Sequence, residues 1–217
     1  MAVALDADIL LLLLNPEAKP PKDPATNELV ERAKERIESL VAKLANAKTK
    51  IVIPTPVLSE ILIKAGLAGP KYIDILRQHS QFKIGSFDER SAIECAAQLA
   101  DAKSQGDKKA GSASTWAKVK FDRQIVAIAV VNGVERIYSS DEDIEKYAVA
   151  SGLQVTKLWQ LPLPPENQLS LPDMEPGENA VVADESSSET GPSETLLDED
   201  AAIVPDDKAA DGDEDEQ

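Results

Sequence analysis

Cysteine and histidine are almost absent from this chain. Cys95 is the only thiol, so no disulfide can close within one copy, which suits a reducing compartment such as the cytoplasm. His79 is the only imidazole, which rules out zinc sites built from several histidines. Aromatic residues make up 4%, too few for the stacking platforms of single-strand binders. Long hydrophobic runs are lacking too. The apolar stretch from Ile9 to Leu14 is too short to span a membrane, and Asp6 and Asp8 precede it where a secretory leader would carry basic residues. The expectation is a cytoplasmic protein with no membrane partner.

Acid is abundant, and its placement matters more than its amount. The formal net charge is −16, from 39 acidic and 23 basic residues. Between Pro165 and Gln217 lie 18 of the acids but only one base, Lys208, which leaves 21 acidic and 22 basic residues upstream. The body is therefore near neutral and free to bind RNA through a local patch. Beyond Pro162 the chain is dominated by Pro, Glu, Asp and Ser and loses all periodicity. Such a segment buries too little apolar surface to offset its ordering entropy. The expected organisation is a folded body over residues 1–162 and a disordered acidic tail over 163–217.

Strand and helix signals alternate through the body. Val3-Ala4-Leu5, Ile51-Val52-Ile53, residues 82–87, 136–139 and 153–158 read as strands. Helices are expected after Asp8, over 28–47, from Pro56 to the glycines at 66 and 69, and over 72–78, 89–103, 121–131 and 143–150. Residues 104–115 read as a loop. This alternation predicts an α/β fold with a mostly parallel sheet covered on both faces.

Four acidic positions fall next to strand ends or helix starts: Asp6 with Asp8, Glu60, Asp122, and Asp141 with Asp143. In a parallel α/β sheet the carboxyl ends of the strands share one edge, and sites form there at the switch in strand order. Converging carboxylates repel unless a cation sits among them, and hard oxygen ligands favour Mg²⁺ or Mn²⁺. Such ions activate water and stabilise charge developing on a phosphodiester, without a catalytic His or Cys.

Four segments carry a family resemblance. Leu5-Asp6-Ala7-Asp8-Ile9-Leu10 is similar to the opening of PIN domains, where an Asp ends the first strand. Val57-Leu58-Ser59-Glu60-Ile61-Leu62 resembles their early Glu-bearing helix, and Phe121-Asp122-Arg123-Gln124-Ile125-Val126-Ala127-Ile128-Ala129 their Asp-led, alanine-rich helix. Ile137-Tyr138-Ser139-Ser140-Asp141-Glu142-Asp143-Ile144 resembles their strand followed by Thr or Ser and then Asp. All four occur in order along the body. The resemblance implies a three-layer α/β/α sandwich with strand order near 3-2-1-4-5. It also implies a Mg²⁺- or Mn²⁺-dependent endoribonuclease of the kind that includes VapC toxins, with Asp6, Glu60, Asp122 and Asp141 as catalytic metal ligands. A protein inhibitor (an antitoxin) and a second copy of the chain are the candidate protein partners beside RNA. Ser139 stands where the family usually has Thr, and its hydroxyl is a candidate contact to substrate. Asp8 stands where the family often has Asn or Ser.

Each residue also has a plainer reading. Asp8 is as good a helix cap as a metal ligand. Asp143 is the expected cap of the helix after Asp141 and a second-choice ligand. Asp122 suits a helix N-terminus through the dipole alone. Lys118, Lys120 and Arg123 are candidate phosphate contacts or an ordinary solvated face. Two other functions compete with the nuclease. Asp6-Ala7-Asp8 superficially matches the paired aspartates of haloacid dehalogenase-like phosphatases, although Leu10 stands where that class usually has Thr. A catalytically silent RNA- or protein-binding module is the other.

Overall fold

Aliphatic residues concentrate in short segments that become strands, and the segments buried on both sides become the middle of the sheet. In the computed structural model these are β1 (Ala2–Leu5), β2 (Lys50–Pro54), β3 (Phe82–Gly85), β4 (Val134–Tyr138) and β5 (Gln154–Thr156). All pairings are parallel, in the order β3-β2-β1-β4-β5. This is the order that the resemblance implied. Ala4, Leu5, Ile51, Ile53 and Ile137 are fully buried, as central strands covered on both faces require. The structure describes residues 1–165, which belong to one unit, Met1–Pro176; the expected acidic tail lies, from residue 166 onward, outside the described residues.

The helices are α1 (Ala7–Leu14), α2 (Ala33–Asn46), α3 (Thr55–Ala65), α4 (Gly69–Gln78), α5 (Glu89–Ser104), α6 (Trp116–Val131) and α7 (Glu142–Ala150). From β1 to β3 the chain moves toward one edge of the sheet, and from β3 to β5 toward the other. Right-handed crossovers then put α1 to α4 on one face and α5 to α7 on the other. The packing agrees: α1 touches α2 and α3, α3 touches α4, and α6 touches α5 and α7. The reversal of direction creates a switch point between the carboxyl ends of β1 and β4. No helix among the described residues is long and apolar enough to cross a membrane.

Two helix starts differ from the sequence expectation. Helix α2 begins at Ala33, not near residue 28. Lys22 pairs with Leu29 in an antiparallel bridge, and Arg32 takes a left-handed conformation at φ 49°. Leu29 fits the helical period but lies in this strap and is 58% exposed. Helix α6 begins at Trp116, five residues before the expected start, because the Thr115 side chain caps it by accepting from the Lys118 N–H at 3.3 Å. Asp122 is thus two turns into the helix, where the dipole no longer reaches it.

Gly85 ends β3 where α6 presses on the sheet. An added Cβ would lie 2.7 Å from Ile128 Cγ2 and 2.9 Å from Val52 Cγ1. Both are branched groups fixed in the core. A Gly→Ala change in a strand gains about 0.5–1 kcal/mol of backbone entropy, but overpacking costs about 1–3 kcal/mol. Gly85→Ala is therefore expected to lower the urea midpoint; an unchanged or raised midpoint would show that the core yields at this point.

Candidate functional site

The switch point brings Asp6 and Ser139 side by side. Asp6 follows β1 directly, and its N–H donates to the carbonyl of Tyr138, the last residue of β4, at 3.0 Å. Its carboxylate caps α1 by accepting from the Ala7 N–H at 2.8 Å and accepts the Ser139 hydroxyl at 2.6 Å. The cap of α1 is therefore Asp6, not Asp8. Asp8 lies in the first turn and accepts the Ser140 N–H at 2.9 Å with Oδ2. Its Oδ1 is buried without a hydrogen-bond partner. Among the described residues, no cation lies within ion-pair distance of Asp6 or Asp8.

A second group lies across the cavity. One carboxylate oxygen from each of Asp122, Asp141 and Asp143 lies within 4.8 Å of the others. The Lys118 ammonium joins them, 2.6 Å from Asp122, 2.9 Å from Asp141 and 3.8 Å from Asp143. Lys118 precedes Asp122 by four residues, the spacing that brings two helical side chains together. Asp141 is the cap of α7, accepting from the Asp143 and Ile144 N–H groups, so the expected assignment of that cap to Asp143 is reversed. Asp143 instead accepts the hydroxyls of Ser112 and Ser114 at 2.8 and 2.7 Å, which ties the loop after α5 to α7.

These groups share a cavity of about 570 Å³, lined in part by Asp6, Asp8, Glu60, Lys118, Asp122 and Asp141. The apolar residues next to Glu60 in sequence point elsewhere: Ile61 is buried in the core and Ile63 is 78% exposed. Glu60 is half-exposed at the rim and pairs with Lys64 at 2.6 Å. Two of the three basic candidates lie off the cavity. Arg123 is buried, its guanidinium 4.4 Å from the centre of the Tyr147 ring and donating to the Gln98 carbonyl. It is a packing residue that cannot reach RNA. Lys120 is exposed and does not line the cavity, since the lining positions Ala117, Lys118, Phe121, Asp122 and Ile125 form a different face of α6. Ser139 is fully buried, with its hydroxyl committed to Asp6 and accepting the Asp141 N–H at 3.0 Å. It positions two carboxylates and does not face a substrate.

Lys157, which nothing in the local sequence marks, is also part of this arrangement. It is buried, and its ammonium donates to the Asp141 carbonyl at 2.8 Å and pairs with Glu145 at 2.9 Å. Ser112, Ser114 and Ser140 are likewise silent in sequence, because a serine in a loop is ordinary until its partner is known.

Burial, and next the charge of Asp8, pushes the Asp6 carboxyl up to about 7, against the hydrogen bonds from Ser139 and Ala7. Burial likewise raises Asp8. It raises Asp122 as well, even though Lys118 favours the ionised form there. Burial opposes the charge of Asp143, but the Ser114 and Ser112 hydroxyls with Lys118 and Lys146 outweigh it and hold that carboxyl below the usual range. Lys118 is desolvated too, yet the carboxylates of Asp122 and Asp141 hold its ammonium above the ordinary lysine range. The donor set is all oxygen, includes the orphaned Asp8 Oδ1, and is richer in negative than in positive charge. It fits a hard divalent cation: the oxygens of Asp122, Asp141 and Asp143 come close enough together to hold one, and Asp6 and Asp8 line the cavity beside Asp122 and Asp141.

No protein-family model matches the chain, and no curated protein matches it in sequence. Among solved structures the chain is similar to VapBC2 from Rickettsia felis bound to a DNA fragment from their promoter, at 14% identity over 72% of this chain and 98% of that one, with a TM-score of 0.49. It is similar to DNA-bound VapBC from Salmonella typhimurium, at 13% identity over 73% and 98%, with a TM-score of 0.46. A third is VapC20 of Mycobacterium tuberculosis, a sarcin-ricin loop cleaving toxin, at 13% identity over 70% and 95%, with a TM-score of 0.41.

The raised Asp6 makes two linked expectations. Its folded value of about 7 exceeds the ordinary 3.8, so the folded state holds a proton that the unfolded chain releases, and stability falls as pH rises between those values. Without divalent cation at pH 8, Asp6→Asn should melt a few degrees above wild type, at about 2–4 °C per kcal/mol for a chain of this size. Near pH 4 the two should coincide. Saturating Mn²⁺ should stabilise wild type more than the variant, with an apparent affinity that weakens below about pH 7 as the ion competes with the proton. Thermal melts over pH 4–8 check both; identical pH profiles for the two proteins would show that Asp6 is not strained by burial.

Proposed function

We propose that this chain is a divalent-metal-dependent endoribonuclease acting on RNA phosphodiester bonds. The observation that carries the reading is the convergence of Asp6, Asp8, Asp122 and Asp141, from three separate segments, on one cavity at the switch point, with Asp8 Oδ1 left without a partner. A fold in which carboxylates merely solvate the surface does not bury them against one another. Mg²⁺ or Mn²⁺ is the ion of choice for such donors, and when bound it supplies an activated water and a counter-charge for the phosphodiester. Asp6, Asp122 and Asp141 are the principal ligands in this reading, with Asp8 and Asp143 beside them. Glu60 at the rim and Lys64 next to it serve the approach of substrate rather than the innermost site. Ser139 holds Asp6 in orientation, and Lys118 is the cavity-lining base of α6 that can meet a phosphate.

The partners follow from the same reading. The substrate is RNA in the cytoplasm, where a free, buried Cys95 is at no risk of pairing. A protein inhibitor that covers the cavity, and self-association, extend the likeness to the VapBC complexes. The phosphatase alternative is weaker, because Leu10 is buried in the core at the place where that class carries a Thr.

The test is incubation of purified protein with a set of structured RNAs in Mg²⁺, in Mn²⁺ and in chelator. Cleavage is expected with metal only. Asp6→Asn and Asp122→Asn should each lower it on the order of 100-fold or more while leaving the fold intact. Ser139→Ala, which frees Asp6 to rotate, should lower it about 10–100-fold. Cleavage that persists in chelator, or wild-type rates in both Asp variants, would overturn the reading. Hydrolysis of small phosphomonoesters with RNA left intact would favour the phosphatase.

A further inference from the structure

The position of Lys118 raises a question that the ligand set leaves open. Its ammonium lies 2.6 Å from an Asp122 oxygen, 2.9 Å from an Asp141 oxygen and 3.8 Å from an Asp143 oxygen. Those three residues are also the group whose oxygens come together closely enough to hold an ion. An ammonium with three donors among three carboxylates satisfies the same electrostatic demand as a metal ion. The two cations therefore compete for the same oxygens. Among the described residues, Asp6 and Asp8 in the same cavity have no such partner.

The lysine is also free to leave. Its side chain is 41% exposed, against 7% for that of Asp122, so its stem is not locked in the core. Arg123, one residue after Asp122 on the same helix, shows the contrast: it is 4% exposed and held over Tyr147. A flexible ammonium on a four-carbon stem leaves one carboxylate group for another anion at small conformational cost. Tethered four residues from Asp122, it returns at high effective concentration whenever the site is empty.

We infer that Lys118 is a tethered counter-cation that occupies the Asp122–Asp141–Asp143 group and is displaced when a divalent ion binds. This rests on the metal-site reading above and deepens it: the chain carries its own competitor for the metal. The exchange removes the main repulsion among three carboxylates whenever no ion is present. It also means that metal loading turns an ammonium out into the cavity that Lys118 lines, where a phosphate is its natural partner.

Mn²⁺ titrations of wild type, Lys118→Gln and Lys120→Gln at fixed pH and ionic strength, read by calorimetry or by free-ion electron paramagnetic resonance, test the competition. Lys118→Gln should bind Mn²⁺ more tightly by about 5- to 150-fold, the usual range for two ligands coupled through one protein. Lys120→Gln removes the same charge from the same helix outside the cavity and should change affinity little. Wild type supplies a second measurement that needs no variant: acylation of Lys118 by an amine-reactive acetyl ester, followed by peptide mass spectrometry, should rise when saturating Mn²⁺ is added. Equal Mn²⁺ affinity in wild type and Lys118→Gln, an equal gain in Lys120→Gln, or Lys118 labelling that Mn²⁺ leaves unchanged would overturn the inference. Failure of every form to bind Mn²⁺ would overturn the metal-site reading itself.

Discussion

Repulsion between carboxylates gathered at one edge of a parallel sheet is the constraint on which the rest of this structure depends. The switch in strand order between β1 and β4 forces Asp6 and the Ser139–Asp141 segment together, and α6 brings Asp122 to the same place. Each acid is then answered separately. Asp6 is answered by a hydroxyl and a helix N-terminus, and Asp8 by one backbone N–H. Asp143 is answered by two hydroxyls, and Asp122 and Asp141 by Lys118. The answers are unequal, and the imbalance is itself informative. At Asp6 burial outweighs the neutral donors and holds the proton on, whereas at Asp143 the two hydroxyls together with Lys118 and Lys146 outweigh burial.

The supporting shell explains why such a strained edge keeps its shape. Lys157 fixes the Asp141 main chain from β5, the Asp6 N–H is tied to β4, and the Ser139 N–H donates to Thr156 of the last strand. The three strands around the switch point are therefore stitched together just below the acids. The core under them is aliphatic and closed: Leu5, Ile9, Leu10, Ile53 and Ile137 are fully buried. Burial of that surface, at about 25 cal/mol per Å², is the source of stability that lets the edge remain unfavourable.

The alternation of strand and helix could be read from the sequence, because central strands are nearly continuous runs of buried aliphatic residues; the strand order came only from the family resemblance. The four acidic segments were legible for a related reason: an acid that breaks an apolar run at a strand end must have a partner. The two helix starts were not. Leu29 keeps the helical period but belongs to a strap, and the polar stretch before Phe121 hid a helix whose cap, Thr115, is a weak signal on its own. The charged residues of α6 were read as a set. Lys118, Lys120 and Arg123 look alike in sequence, yet one enters the acid cluster, one faces solvent and one is buried over Tyr147.

What the sequence determined by itself is the chemistry available: oxygen donors in four places, a single imidazole, a single thiol, and a body near neutral in charge. Residue type and hydrophobic period are local properties, and they are enough to mark the strands and most of the helices, though not every helix start or cap. Only the tertiary structure decided which of those groups meet. Glu60 and Asp143 are equally acidic in sequence, but helix phase and loop packing place one at the rim beside Lys64 and the other in the acid cluster, held by Ser112 and Ser114. The same holds for Lys118, whose role depends on a distance to Asp141 across 23 residues of chain. Such distances are set by how helices settle on the sheet, a collective outcome of packing that no single stretch of sequence contains.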